Sequence, residues 1–164
     1  MLSVAEIMTA EPYTLGPDDS LAQARQLMSE HHIRHIPIVT GDRCLVGVVS
    51  QRDVLAAADS SVLSDQEAHL AQEKHVALSS IMTSPVQTVD EHASLRGTAM
   101  HLKKSRMGCL PVTRDGKLVG IITDSDFVTI AIHLMEQLEA SEPPEDFGDE
   151  LADYDPDPDS GRDN

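Results

Sequence analysis

Aromatic side chains are nearly missing from this chain: 164 residues hold no tryptophan, two tyrosines and two phenylalanines. Any core must therefore be aliphatic. Cysteine is just as scarce. Cys44 and Cys109 show no metal-ligand spacing, and a cytosolic setting disfavours a disulfide, so both are expected as buried or half-buried thiols. No apolar run approaches the ~18 residues that cross a membrane. The N-terminus also lacks the basic-then-hydrophobic pattern of a signal peptide, which points to a cytoplasmic protein. Catalytic signatures are missing too: there is no Gly-x-Ser-x-Gly elbow, Walker loop or His-Glu-x-x-His helix, and an enzyme is not expected. His31, His32 and His35 gain no carboxylate or cysteine at finger or helical spacing, so no metal site is expected.

Positive charge is the last shortage. Twelve Lys and Arg face 28 Asp and Glu, a net charge of −16, which makes nucleic acid a poor partner. The deficit is uneven. Residues 141–164 carry ten acids and one arginine, a local charge of −9, which leaves −7 for residues 1–140. The body can still gather cations at an anion site. The tail, with Pro143-Pro144 and the run from Asp155 to Asp159, has the composition of a disordered, solubilising segment.

What the chain does have is a repeat. Leu118-Val119-Gly120-Ile121-Ile122-Thr123 with Asp126 answers Leu45-Val46-Gly47-Val48-Val49-Ser50 with Asp53. Each is a β-branched run broken by glycine, ending at a hydroxyl residue with an acid three positions on. By itself that ending is a capping box, worth ~1 kcal/mol and nothing more. Much else recurs, however. Ile7-Met8-Thr9 returns as Ile81-Met82-Thr83, 74 positions later, and the same offset relates Thr14 to Thr88, Leu21 to Leu95 and Pro37 to Pro111. After the turns near Gly41 and Asp115 the offset falls to 73. Agreement over so many positions is an internal duplication.

Each copy reads as strand, helix, strand, strand, helix, an α/β (α+β) pattern. Ser20 with Gln23 caps a helix over residues 20–31, whose stripe is Leu21, Ala24, Leu27 and Met28. Gly97 weakens the matching second helix by ~1 kcal/mol relative to alanine. Ile36-Pro37-Ile38-Val39 and Leu110-Pro111-Val112 are strands whose proline removes one ladder donor and favours a start or an edge. Short turns join them to the glycine-containing strands as hairpins. The first strands are expected near Thr14 and Thr88, and a polar helical linker between the copies. The organisation read from this pattern is a first domain over residues 1–60, a linker over 61–78, a second domain over 79–140 and an acidic tail over 141–164.

With Ile-Met-Thr at the start, a proline strand in the middle and Gly-x-x-Ser/Thr-x-x-Asp at the end, the two copies resemble tandem cystathionine-β-synthase (CBS) domains, the pair known as a Bateman module. The resemblance covers roughly residues 3–135. It implies two pseudo-symmetric domains packed sheet to sheet, leaving two clefts. Such clefts commonly take an adenosyl ligand: AMP, ADP, ATP or S-adenosylmethionine. It further implies a regulatory module that forms a homodimer and signals to an effector protein in trans, or else a ligand-free dimerisation scaffold.

In relatives the motif's aspartate accepts from both ribose hydroxyls. A carboxylate suits a cis-diol, and the helix start beside it offers N–H groups to a phosphate. The motif glycine would permit close approach of the backbone. Carried over, Ser50 and Asp53 serve one cleft, Thr123 and Asp126 the other, and Arg34 with His35 can donate to phosphate. The positions matching Arg34 and His35 are Gly108 and Cys109, so the cleft with Arg34 should bind phosphate better. The ligand-binding set so implied is Thr14, Arg34, His35, Pro37, Ser50 and Asp53 in the first copy, with Thr88, Cys109, Pro111, Thr123 and Asp126 in the second.

Overall fold

Ser20 starts the first helix by reciprocal capping: its Oγ accepts from the Gln23 N–H at 3.2 Å, and Gln23 Oε1 accepts from the Ser20 N–H at 2.7 Å. In the computed structural model, which describes residues 1–59 and 66–141, the helix that follows, α1, spans Leu21–His31 and buries Leu21, Ala24 and Met28. Its repeat, α4, spans Leu95–Ser105 from the N-cap Ser94. Gly97 has a local reason to be there. It donates its N–H to Ser94 Oγ at 3.1 Å, and a Cβ at this position would lie 2.8 Å from that oxygen.

Each helix leads into a hairpin: β2 (His35–Thr40) with β3 (Cys44–Ser50), and β5 (Cys109–Arg114) with β6 (Lys117–Thr123). The turns explain the change of offset. The second is the two-residue Asp115-Gly116, both at positive φ (51° and 78°) as a tight hairpin loop needs, whereas the first is a 3₁₀ turn over Gly41–Arg43. The first turn is one residue longer. Cys44 sits at this end of β3 and is exposed, against the expectation of a covered thiol, because the strand has left the core there. The prolines lie where one flank is free of ladder donors. β5 is internal in the sheet, yet β4 (Val89–Asp90) pairs with it only at Val112 and Thr113, past Pro111. The counterpart of β4 in the first copy is a single bridge, Leu15 to Ile38, so only the second copy keeps the strand expected near Thr88, one residue later.

The openings of the copies are exchanged. β1 (Thr9–Ala10) pairs with β6 of the second copy, in register with Ile121 and Gly120, while Thr83 bridges Val48 of the first copy. Upstream the same crossing recurs at the 74-residue offset. The Val4 N–H donates to Ala93 O at 3.0 Å and the Leu78 N–H to Asp19 O at 2.9 Å; Leu95 donates to Leu2, and Leu21 to Val76. The motif glycines serve this exchange. A Cβ on Gly47 would overlap the Met82 side chain, with Met82 Cγ at 2.8 Å, and one on Gly120 would meet Met8 Cγ at 3.1 Å and Thr9 O at 3.0 Å. The close approach these glycines permit is therefore to the other copy's Ile-Met-Thr.

The result is one mixed six-stranded sheet, ordered β2-β3-β6-β5-β4 with β1 also on β6, in which the hairpins join at Cys44 and Lys117. Their faces meet through Val48, Cys109 and Ile121. The first copy's core of Leu21, Ile36, Ile38 and Val49 includes Leu78, which enters from the second copy's opening. All are aliphatic, as the lack of aromatics requires.

α2 (Gln51–Asp59) closes the first copy, and α5 (Asp124–Ser141) the second. Residues 1–129 form one compact unit; the later part of α5, from Ile130, belongs to a second unit. Between the copies lies α3 (Gln66–Glu73), where Arg25 Nη2 donates to Glu73 Oε1 at 2.7 Å. The acidic tail lies outside the described residues apart from Ser141, and so does the expectation of its disorder.

One ion pair belongs to the second copy alone. Arg114 donates from Nε and Nη2 to the buried carboxylate of Glu91, the second bond at 2.6 Å; Pro17 and Thr40 stand at the matching positions. The hydrogen bond from Arg114 holds the Glu91 carboxyl below its usual range. A lowered carboxyl stabilises the fold above its unfolded value, ~4.3, and that contribution disappears as pH falls through the folded value. The urea midpoint should therefore drop between about pH 5 and pH 3. It should drop less steeply in Glu91→Gln; equal slopes in the two proteins would remove this carboxyl as the cause.

Candidate functional site

β3 ends at Ser50, and the chain turns there into α2. The turn is tied at its base by the Gln51 N–H, which donates to Arg34 O at 2.8 Å. Asp53 faces back along the helix: Oδ2 accepts from the Ser50 N–H and the Ser50 hydroxyl, each at 2.8 Å, while the Asp53 N–H donates to Ser50 Oγ at 3.2 Å. The second copy builds the same corner, with Asp126 Oδ2 accepting from the Thr123 N–H at 2.7 Å and its hydroxyl at 3.1 Å. The capping function of the motif is thus present in both copies, and in both it engages one carboxylate oxygen, Oδ2.

Against the first of these corners lies a cavity of about 880 Å³, open to the surface. The volume falls within the ~300–1,000 Å³ typical of ligand clefts. Its walls come from both copies. Arg34, His35, Ser50 and Asp53 line it from the first; Gln87, Cys109, Pro111 and Asp124 line it from the second. The expectation that Arg34 and His35 mark one cleft, and Gly108 and Cys109 the other, is corrected by this arrangement, because Gly108, just ahead of β5, packs against the His35 ring at the head of β2 and all four residues line one cavity. Gly108 makes room for the His35 ring: a Cβ there would stand 3.0 Å from His35 Cε1 and Nε2.

The other expected positions fall elsewhere. Pro37 is buried in β2 and Thr14 is exposed ahead of the Leu15 bridge, while Thr88 borders a separate, smaller hollow beside Met82, Pro85 and Gly116. Thr123 and Asp126 do not border the large cavity, but Arg34 links the two regions, since its Nη2 donates to Ser125 Oγ at 3.2 Å.

The electrostatics of the large cavity differ from those of the chain as a whole. Arg34, Arg52, Lys103 and Arg106 line it, a third of the twelve Lys and Arg in the sequence, against Asp53 and Asp124. Burial pushes the His35 imidazole below its ordinary value, opposed by the nearby Asp124, so it is neutral at pH 7. Burial, with Asp124, pushes the Cys109 thiol up to about 12, which removes it as a nucleophile. Gln87 is oriented by His101, whose Nε2 lies 2.7 Å from Gln87 Oε1. The α4 wall was readable as a helical face: Ala99, Leu102 and Lys103 stand at i, i+3 and i+4, with Arg106 at the C-cap just past the helix. What no pattern revealed is that this face meets the first copy's motif.

The CBS-domain family model matches residues 4–60 and 78–133. The chain belongs to the CBS-domain family. Its fold agrees with solved CBS pairs. An acetoin-utilization protein from Vibrio cholerae is 44% identical with a TM-score of 0.72, over 87% of this chain and 99% of that one. CBSX2, solved in complex with AMP, is 27% identical with a TM-score of 0.68, covering 82% and 99%. The CBS pair of protein MJ0100, solved with 5′-methylthioadenosine and S-adenosylmethionine, has the same identity and TM-score, covering 82% and 98%. Among curated proteins, an uncharacterised 33.4 kDa protein of Thermofilum pendens is 36% identical over 130 residues, and this chain spans 43% of its length. Among the described residues of the CBS pair, no helix is long and apolar enough to cross a membrane, and no group of His, Cys, Asp and Glu could hold a metal ion.

Proposed function

We propose that this CBS pair is a regulatory module, without catalytic activity of its own, that binds an adenosyl ligand in the cleft lined by Ser50 and Asp53. The observation that carries the reading is the shared wall of that cleft. A ligand lying between Asp53 of one repeat and Gln87 of the other bridges them, so occupancy biases their relative arrangement, which is what a sensor requires. AMP in CBSX2, and methylthioadenosine with S-adenosylmethionine in MJ0100, supply the ligand class. Asp53 and Ser50 are assigned to the ribose, Arg34 and His35 to the phosphate side, Cys109 and Pro111 to the floor, and Thr14, Pro37, Thr123 and Asp126 to a second, related position that does not include Thr88, which borders the separate hollow.

The output acts in trans, through a homodimer that presents its state to an effector protein. Leu55 on α2 and Val128 on α5 occupy equivalent positions and are 52% and 58% exposed, a pair of apolar residues suited to a symmetric partner. Guanidinium transfer is the proposed trigger. Arg34, which donates to Ser125 at the head of α5, would turn to a phosphate in the cleft and release that helix start.

Differential scanning fluorimetry tests the reading. At about one hundred times its dissociation constant, an adenosyl ligand should add ~2.7 kcal/mol, or about 5–10 °C in Tm. Asp53→Asn, which keeps an oxygen to accept from Ser50, should retain the apo Tm within a degree or two and lose most of the ligand shift. No shift with AMP, ADP, ATP or S-adenosylmethionine at millimolar concentration would overturn the proposal.

A further inference from the structure

The charge of the cleft narrows the ligand within this class. We infer that it takes a nucleotide bearing two or more phosphates and turns away a sulfonium nucleoside such as S-adenosylmethionine. The inference rests on the adenosyl reading above. Four cationic side chains face a cavity in a protein of net charge −16, so their placement runs against the chain's own composition.

These cations are also spread out. Arg34 stands at the head of β2, Arg52 in the first turn of α2, and Lys103 and Arg106 near the end of α4, with Arg106 held in the left-handed region at φ 55°. Cations on three elements around one opening suit a run of phosphates, whose charge is spread over several ångströms, better than a single phosphate. Lys supplies point charges here, and the arginines planar forks that take two phosphate oxygens at once.

The two acidic groups in the wall, Asp53 and Asp124, offset part of this charge and leave a net +2 from the four cations. Asp53 places Oδ2 on its own helix start, between the Ser50 N–H and hydroxyl. Asp124 is the other acid, and it heads α5 beside Arg34's partner Ser125. His35, neutral and half-buried, adds no positive charge but offers a ring nitrogen at the cavity wall. S-adenosylmethionine, with a sulfonium and an ammonium against one carboxylate, would bring a net positive charge of about one into a wall that is already net positive, whereas a polyphosphate brings several negative charges.

Titration calorimetry of the full chain decides the matter, using ATP, GTP, ADP, AMP, S-adenosylmethionine and inorganic tripolyphosphate at two salt concentrations. ATP and ADP should bind at least tenfold more tightly than AMP, and S-adenosylmethionine at least a hundredfold more weakly than ATP. Tripolyphosphate alone should compete with ATP, and ATP affinity should fall as salt rises. In Lys103→Gln/Arg106→Gln, two exposed positions, ATP should lose tenfold or more and AMP less than threefold. AMP binding as tightly as ATP, or S-adenosylmethionine within tenfold of ATP, would overturn the inference while leaving the adenosyl site standing. Competition by tripolyphosphate with no preference for adenine over other bases would do the opposite, sparing the polyphosphate site and sinking the adenosyl reading.

Discussion

Val4→Asp is expected to damage the second repeat, although Val4 precedes the first. The side chain is fully buried, and its N–H donates to Ala93 at the start of the second repeat's helix. An unpaired carboxylate in such a position costs about 3–5 kcal/mol, or roughly 6–20 °C in Tm for a chain of this size. Hydrogen exchange should show where the lesion falls. Protection should be lost first in α4 and β5, with α1 and β2 holding on longer. Leu78→Asp is the mirror experiment. Leu78 is fully buried in the cluster of Leu21, Ile36, Ile38 and Val49, so its lesion should appear in α1 and β2. Loss of protection in the repeat nearest in sequence, for either variant, would contradict the exchange of openings.

A second large effect is expected at the motif glycine. Gly47→Val places a branched side chain where Met82 already lies, against Cβ at 3.1 Å and Cγ at 2.8 Å from the substituent's first carbon alone. Overpacking of this kind costs about 1–3 kcal/mol, and the value should sit at the upper end because the Met82 backbone is fixed by its N–H bond to Leu78 O at 2.9 Å. Met82→Ala removes the obstruction. In the double variant the two costs should fail to add, with a coupling of at least ~1 kcal/mol. Additive costs would mean that the glycine is needed for something other than the methionine of the opposite repeat. Ligand affinity, measured alongside, separates the two roles proposed for this glycine, since a packing role alone leaves it nearly unchanged.

Much of this architecture is legible in residues. Ser20 and Gln23 announce the start of α1 because capping is a contact across three residues, satisfied before any tertiary structure exists. The hairpins are legible for the same reason, since Asp115-Gly116 suits a tight turn and the apolar runs on either side need one another, although in the first turn it is Asp42 and Arg43, not Gly41, that take positive φ. The Ser50 and Asp53 pair was readable as a cap, and it is one. The failures are of another kind. Cys44 is exposed because the hairpin carries it past the core, and β4 has a full strand only in the second copy. Glu91 and Arg114, 23 residues apart, form their ion pair only when β5 comes alongside.

By itself, then, the sequence determined that there are two copies of one α/β unit, where each helix and hairpin begins, that the core is aliphatic, and that acids and bases are unevenly distributed. These are properties of short segments and of composition. Only the tertiary structure decided which opening joins which hairpin. The two Ile-Met-Thr segments are the same, and the glycine strands that receive them share one pattern, so pattern alone cannot tell pairing within a copy from pairing across copies. That choice in turn put Gln87, Lys103 and Arg106 opposite Asp53 and made one cleft out of two repeats. The cleft's charge was present in the sequence as scattered cations, which line one opening only in the folded chain.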